Sequence, residues 1–414
     1  MTSLDRRAFL SLAGLSWLTP VGRLLAQQSE SSREPARSVI LLWLAGGPSQ
    51  LETFDPHAGT SFAGGTKAIE TAVKGIQLAS GFEQLADQMG SVSLIRSMIS
   101  KEGDHERGTY MLKTGYRPDP TVVHPSIGAV CCHELPVGTT DIPRHISILT
   151  GQWPSRGGFL GGEFDAFQID DPKGKLPDVA SQVAAVRDQR RVLDLDVVDR
   201  AFSLRRKARV DATLHRETIA SARTMMTSEQ LKAFDVSQEP ANLRAEYGDS
   251  PFGRGCLAAR RLIEVGVRCV EVTLNGWDSH VNNHEIHRKL VKQLDPAFAA
   301  LLRDLRARKL LDRTVVLCCG EFGRSPKINP LGGRDHWPTG FSLALAGGGL
   351  RSGVAIGETD PEAVKDPVDP TTVQDVHATI LTALGLNPLK ENVAPLTGRP
   401  MKLSEGRAIR SLIG

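Results

Sequence analysis

Short apolar runs, each stopped by glycine or by polar residues, recur along this 414-residue chain. The first run covers residues 39–44, and a segment of small residues and proline, residues 45–49, ends it. A continuous apolar run predicts a strand that is buried on both faces, as in a parallel sheet. Similar, mostly apolar runs occur at residues 92–95, 145–149, 267–272 and 314–319.

Apolar residues at helical spacing lie between these runs and predict helices at residues 81–89, 256–265, 286–309 and 373–384. Alternating strands and helices are typical of an α/β fold with a mainly parallel central sheet. Residues 183–247 differ, because they are rich in arginine, aspartate and alanine and contain no convincing buried-strand run. We interpret them as a helical insertion in a single domain that covers residues 37–414.

The N-terminal residues have the pattern of an export signal. The pair Arg6 and Arg7 precedes an apolar run at residues 10–18, and the small residue Ala26 follows. This pattern resembles a twin-arginine signal peptide of residues 1–26, which predicts a periplasmic or otherwise exported protein. The apolar run is shorter than the roughly 20 residues that a membrane span needs, so we expect no transmembrane span. Residues 27–36 are polar and predict a flexible tether.

The charge and the cysteines bear on two classes of function. Lysine and arginine number 50 against 47 aspartates and glutamates, which gives a formal net charge of +3. A nucleic-acid-binding surface needs concentrated basic charge, so no nucleic-acid partner is expected. The six cysteines form no Cys-x-x-Cys motif, and Cys269, Cys318 and Cys319 have apolar neighbours. This predicts buried thiols and disfavours a zinc–thiolate site.

Residues that can bind a metal ion or transfer a proton gather at the ends of the predicted strands. They lie in five segments, at residues 46–56, 104–109, 277–280, 320–324 and 333–338. Sites in an open parallel sheet form at the carboxyl ends of strands, so these segments are expected to converge. Histidine together with carboxylate suits a divalent ion such as zinc or manganese. The candidate metal ligands are Asp55, Asp278, His280, Glu321, Asp335 and His336.

Two arginines lie close in sequence to these carboxylates. The guanidinium of Arg324 or Arg334 can clamp an anionic group through two hydrogen bonds. Each can equally pair with a neighbouring carboxylate, Glu321 or Asp335, and the sequence leaves both roles open.

Three long motifs resemble the DUF1501 family of exported bacterial proteins. They cover residues 46–56, 252–267 and the segments 320–326 and 333–338, and the resemblance spans nearly the whole chain after the signal. The family is similar to the alkaline phosphatase and sulfatase superfamily. That similarity implies a three-layer α/β/α sandwich with a two-metal site at the carboxyl edge of the sheet.

The resemblance also implies roles for individual residues. His105 stands where sulfatases have the nucleophilic cysteine of a Cys-x-Pro-Ser-Arg segment. Asp278, His280 and His336 fall on positions of metal ligands, and Glu321 occupies the place of an Asp-His pair.

The chain departs from the superfamily pattern at its first strand. That strand normally delivers an aspartate ligand, but the position here is held by Gly46 and Gly47. Asp55 or Glu52 in the following loop is the expected substitute.

Three functions from different classes agree with these residues. The first is a metal-dependent hydrolase of phosphate or sulfate esters that uses one or two zinc, manganese or calcium ions. His105 would act in it as nucleophile or general acid, and Arg324 or Arg334 would bind the anion of a small molecule or glycan. The second is a catalytically inactive module that binds a metal or an anionic glycan, since no serine, threonine or cysteine stands at the nucleophile position. A structural role in the cell envelope is the third, and it predicts no metal.

Overall fold

The computed structural model describes residues 34–173, 176, 179–204, 214–362, 364–394 and 397–413. The predicted signal peptide and most of the predicted tether lie outside the described residues. The last tether residue, Ala36, is buried, and its backbone N–H donates a hydrogen bond to the carbonyl oxygen of Ala383 over 2.9 Å. The end of the predicted tether is therefore packed against the rest of the chain.

The strands are β1 (Ser38–Ala45), β2 (Ala68–Glu70), β3 (Gln77–Ala79), β4 (Val92–Ile99), β5 (His145–Ile148), β6 (Phe167–Ile169), β7 (Cys269–Asn275), β8 (Thr314–Cys319), β9 (Gly323–Ile328), β10 (Arg334–Trp337), β11 (Phe341–Gly347), β12 (Ala355–Ile356), β13 (Thr371–Thr372), β14 (Glu391–Val393) and β15 (Pro400–Lys402).

The α-helices are α1 (Glu83–Gln88), α2 (His105–Thr114), α3 (Ile127–Glu134), α4 (Ala185–Ser203), α5 (His215–Thr227), α6 (Ala241–Glu246), α7 (Pro251–Glu264), α8 (Asn283–Ala307) and α9 (Val373–Ala383). Short 3-10 helices cover Ser61–Ala63, Met89–Ser91, Gly158–Leu160, Gly162–Phe164, Glu229–Phe234, Val236–Gln238 and Leu311–Arg313.

One nine-stranded sheet forms the centre of the fold. Its strand order is β12-β4-β11-β8-β1-β7-β5-β6, and β13 pairs with β4 outside this path. Among the described strands of this sheet, only β11 is antiparallel to the strands beside it, which are β4 and β8. All the other pairs are parallel. The predicted α/β class with a mainly parallel sheet is confirmed.

Helices cover both faces of this sheet. Alternate residues of β1 enter two separate apolar cores, because successive side chains of a strand point to opposite faces. One core packs the sheet against α1, α7 and α8, and the other packs it against α2, α3 and α9. Each fully buried aliphatic side chain contributes roughly 1.5–3 kcal/mol, so both layers are stabilising. The predicted three-layer sandwich is confirmed. The β1 residues of the first core are Ile40, Leu42 and Leu44, and those of the second are Val39, Leu41 and Trp43.

The part of the chain interpreted as an insertion has helices joined by short non-helical segments among its described residues, and no strand is found there. It contains α4, α5 and α6, and α4 has no buried residue. Ion pairs connect α4 to α5, such as Arg223 Nη1 to Asp188 Oδ2 at 3.0 Å. Among all the described residues, no helix is both long enough and apolar enough to span a membrane.

The six cysteines are free and buried, as predicted. They pack in the two apolar cores beside the sheet. Burial raises the pKa of Cys256 and Cys319 above the ordinary thiol value, so these side chains behave as small apolar groups.

Candidate active site

Three neighbouring strands bring their carboxyl ends to one edge of the sheet. Gly46 directly follows β1, Asp278 lies three residues beyond β7, and Glu321 lies two residues beyond β8. His105, which begins α2 after β4, reaches the same edge. This is the position at which parallel sheets form their sites.

The antiparallel strand explains why His336 joins them. Because β11 is reversed, its first residue, Phe341, lies at the edge where its neighbours end. His336 lies in β10, which precedes β11 by a short link. This link therefore keeps His336 beside the ends of the parallel strands.

His105, Asp278 and His336 each offer a ligand atom within 4.8 Å of the others. His280 also belongs to this group, since its Nε2 atom lies 3.0 Å from Nε2 of His336 and 3.3 Å from Oδ1 of Asp278. We call these four residues the histidine–aspartate cluster. Asp278 is about half exposed, so the cluster opens to solvent.

Each histidine of the cluster has its Nδ1 atom bound to an acceptor. His105 Nδ1 lies 2.7 Å from Oε1 of Glu321, His280 Nδ1 lies 2.9 Å from Oδ1 of Asp335, and His336 Nδ1 lies 2.7 Å from the carbonyl oxygen of Gly103. Carbonyl and carboxylate oxygens accept, so each Nδ1 carries the proton and donates. Each Nε2 atom then carries a lone pair, and the three lone pairs are directed at Asp278.

This arrangement fits a bound cation. Two Nε2 lone pairs, those of His280 and His336, lie 3.0 Å apart and repel each other unless a proton or a metal ion lies between them. The pKa of His336 is lowered by burial and by nearby positive charge, which disfavours a second proton there. Histidines whose Nδ1 donates to a carboxylate or carbonyl are the usual form of metal-binding histidine.

Glu321 is 1% exposed and accepts two hydrogen bonds through Oε1, from His105 and from the backbone N–H of Gly46 at 2.9 Å. Its Oε2 atom and Nε2 of His105 are buried, with no hydrogen-bond partner among the described residues. The hydrogen bond from His105 to Glu321 raises the pKa of His105 above its ordinary value. Glu321 therefore orients this histidine, and two polar atoms remain for a ligand.

Arg324 fixes the other side of Asp278. It is fully buried and donates from Nη2 to Oδ1 of Asp278 at 2.6 Å, from Nε to the carbonyl of Gly47 at 2.9 Å and from Nη1 to the carbonyl of Arg334 at 3.1 Å. Nη2 also donates to the carbonyl of Gly46. Burial raises the pKa of Asp278, but the hydrogen bond and charge of Arg324 outweigh it and hold the pKa below its ordinary value. Asp278 is thus an oriented carboxylate at neutral pH.

The glycine after β1 allows the strand ends to approach each other. Gly46 has φ of +116°, and a Cβ atom there would lie 2.4 Å from the backbone nitrogen of Asp278. Only glycine has space at this position and adopts that conformation readily. Instead of supplying an aspartate ligand, the first strand supplies the N–H and carbonyl groups that bind Glu321 and Arg324.

The structure does not bring two of the predicted site residues to the cluster. Arg334 is fully buried and pairs with Glu52 through Nε and Nη2, and its other donors bind backbone carbonyls. Asp55 accepts from the backbone and hydroxyl of Thr359 at 2.8 and 2.7 Å, and from His57 at 3.1 Å. Neither Asp55 nor Glu52 replaces the missing aspartate of the first strand.

Two further histidines near the cluster in sequence also lie outside it. His287 is buried, accepts from the N–H of Ser49 and donates to the carbonyl of Asn283, and burial lowers its pKa to about 4. His284 lies 3.4 Å from Glu52. His287 is packed beneath the site, whereas His284 lies partly exposed beside Glu52.

Two contributors to the site were not predicted from the sequence. The carbonyl of Gly103 fixes the ring of His336, and backbone acceptors leave no signal in side-chain identity. The ring of Trp153 lies nearly parallel to that of His105, with centroids 6.5 Å apart. Its position five residues beyond the end of β5 was the available signal.

A family model described as "Protein of unknown function (DUF1501)" matches residues 36–413. The chain belongs to this family. A search of curated proteins finds no match to this DUF1501 protein.

Solved structures with a similar fold include a lipoteichoic acid synthase, LtaP, from Listeria monocytogenes, with 9% identity, a TM-score of 0.42 and coverage of 92% of this chain and 77% of the other. The PsFucS1 sulfatase from Pseudoalteromonas sp. shows 13% identity, a TM-score of 0.41 and coverage of 87% and 70%. The alkaline phosphatase from the Antarctic bacterium TAB5 shows 13% identity, a TM-score of 0.38 and coverage of 86% and 100%.

Proposed function

We propose that the histidine–aspartate cluster holds a divalent metal ion and that this DUF1501 protein hydrolyses phosphate or sulfate esters with it. One observation carries the proposal. The Nδ1 atoms of His105, His280 and His336 are all bound to acceptors, so their Nε2 atoms converge on Asp278. A set of oriented lone pairs around one carboxylate is a ligand set for a cation.

The donor atoms favour zinc or manganese. Calcium prefers ligands that are all oxygen, whereas imidazole nitrogen with carboxylate suits zinc and other first-row ions. The local charge supports the same proposal, because Asp278, Glu321 and Asp335 outnumber the single guanidinium of Arg324. This excess of negative charge repels an anionic ester, and a divalent cation would offset it.

The reaction we propose consumes one water molecule. Its oxygen forms a bond to phosphorus or sulfur, the bond from that atom to the ester oxygen breaks, and the alcohol leaves with a proton from the water. A bound ion supplies polarisation of the ester and a lowered pKa of water. The chain's part is to orient, since Glu321 fixes His105, Asp335 fixes His280 and Arg324 fixes Asp278.

These contacts favour different roles for two residues than the sequence pattern does. His105 has Nδ1 bound to Glu321 and Nε2 directed at Asp278, so we propose it as a metal ligand in place of a nucleophile. Four of the five N–H groups of Arg324 already have acceptors, so we propose that it positions Asp278 and does not clamp substrate.

Elemental analysis and an ester panel test the proposal together. The purified protein is expected to hold one or two equivalents of zinc or manganese and to cleave aryl phosphates or sulfates. Asp278→Asn is expected to lose both properties. Glu134→Gln changes another buried glutamate that contacts a histidine, and it should keep both. A protein that holds metal in neither the wild-type nor the Glu134→Gln form would contradict the proposal.

A second candidate is an inactive module that binds a metal or an anionic glycan. It is favoured by the occupied guanidinium groups of Arg324 and Arg334 and by the histidine at the nucleophile position. Stoichiometric metal with no turnover on the whole ester panel would support this module, whereas turnover that Asp278→Asn abolishes would exclude it.

We also propose export through the twin-arginine route, on the sequence pattern of residues 1–26. A reporter enzyme fused to these residues should reach the periplasm, and the double change Arg6→Lys and Arg7→Lys should retain it in the cytoplasm. Equal export of both fusions would contradict this proposal.

A further inference from the structure

A cavity of about 260 Å³ opens beside the histidine–aspartate cluster. It lies between α2, residues 123–126 and the segment 152–156. Trp153 joins it to the cluster, because this side chain lines the cavity and its ring faces that of His105. The lining residues used below are Glu106, Tyr110, Gln152, Trp153 and Arg156.

The segment 152–156 is held in place from below. Lys113 is buried and donates from Nζ to the carbonyl of Trp153 at 2.9 Å and to Oε1 of Glu271 at 2.8 Å. Ser155 donates to the other oxygen of Glu271 at 2.7 Å, and the carbonyl of Arg156 accepts from the N–H of Ser126 at 2.9 Å. The cavity wall is therefore fixed before any ligand binds, which reduces the entropy cost of binding.

The cavity combines aromatic and polar walls. Trp153 and Tyr110 provide aromatic surface and are partly exposed. The side chains of Glu106, Gln152 and Arg156 are exposed and have no hydrogen-bond or ion-pair partner within the described parts of the chain. A carboxylate, an amide and a guanidinium thus border one small cavity with their donors and acceptors free.

From this arrangement we propose that the cavity binds a sugar ring whose phosphate or sulfate ester lies in the histidine–aspartate cluster. A pyranose has a face of C–H groups that packs on an aromatic ring, and its hydroxyls need donors and acceptors around the rim. The volume lies just below the roughly 300–1,000 Å³ of most ligand pockets, which leaves room for a single ring only. The proposal rests on the proposed function, because it places the ester at the metal site.

Three phosphonates that cannot be hydrolysed test this subsite by calorimetry on the zinc-loaded chain. They are the methylenephosphonate analogue of glucose 6-phosphate, methylphosphonate and phenylphosphonate. The sugar analogue is expected to bind at least tenfold more tightly than the other two. Trp153→Ala should remove this advantage, so that the variant binds the sugar analogue no more tightly than it binds methylphosphonate, and Trp153→Phe should keep most of it. Arg187→Ala, at an exposed arginine on α4, is the control and should change nothing.

Equal affinity for the three phosphonates, or an unchanged preference in Trp153→Ala, would overturn the sugar subsite. The proposed hydrolase fails by a different result, which is the absence of metal and of turnover on the ester panel. Hydrolysis without a sugar preference rejects the subsite alone. A sugar preference lost in Trp153→Ala, with no hydrolysis, supports the subsite and rejects the hydrolase alone.

Discussion

Replacing Glu321 by glutamine tests whether this carboxylate prepares His105 for a metal ion. The amide oxygen of glutamine can accept from both His105 Nδ1 and the N–H of Gly46, which bind Glu321 at 2.7 and 2.9 Å. The contacts are kept, but the negative charge is lost. A hydrogen bond to a charged group contributes about 1–2 kcal/mol more than a neutral one. Zinc is therefore expected to bind about five- to thirtyfold more weakly.

The assay is a competition titration of the metal-stripped protein with a fluorescent zinc chelator at pH 7.5. Glu134→Gln is the matched control, because Glu134 also accepts from a histidine Nδ1, that of His133, at 2.9 Å and is 2% exposed. It should bind zinc like the wild type. If Glu321→Gln binds zinc with wild-type affinity, or if both variants lose affinity equally, the orienting role of Glu321 is refuted.

The amide nitrogen of Glu321→Gln has a separate effect. It replaces Oε2, which has no hydrogen-bond partner among the described residues, so a buried donor is left without an acceptor. This costs about 1–3 kcal/mol of unfolding free energy. Urea unfolding of the metal-free variant measures this loss separately from metal affinity.

Three other changes probe the surroundings of the site. Gly46→Ala should abolish zinc binding in the chelator titration, because the new Cβ would lie 2.4 Å from the nitrogen of Asp278; wild-type affinity would contradict the close approach. Arg334→Met leaves Glu52 buried without its guanidinium and should cost about 3–5 kcal/mol in urea unfolding, and a loss under 1 kcal/mol would count against the pair. Burial lowers the pKa of His377 to about 4, so only the unfolded chain gains this proton as the pH falls from about 6.5 to 4. The free energy of unfolding therefore falls by about 3 kcal/mol between pH 7 and pH 4 because of this residue. Urea unfolding at both pH values should show a smaller fall for His377→Gln than for the wild type.

The central strands could be predicted because they are buried on both faces. Their runs contain few polar residues, and the rule that sites form at carboxyl ends led directly to Asp278 and Glu321. The antiparallel strand β11 was not predicted, since an apolar run carries no information about direction. His336 was predicted from its metal-binding segment, residues 333–338, and from the resemblance, but without the reversed strand that explains why this segment reaches the same edge.

The arginines show where sequence proximity is insufficient. Arg334 is one residue from Asp335, yet its partner is Glu52, which lies 282 positions away. Asp55 bonds to Thr359, 304 positions away. Pairings between distant segments depend on how loops fold over the edge of the sheet, and residue identity alone does not encode them.

The reversed strand β11 also constrains the order in which the fold can form. It lies between β4 and β8, so residues 92–99 and residues 314–319 cannot join one sheet until residues 341–347 are inserted between them. Contacts this distant in sequence form slowly. During synthesis the edge of β4 that faces β8 stays unpaired until most of the chain has left the ribosome, and His105 and His336 meet only when β11 fills this gap.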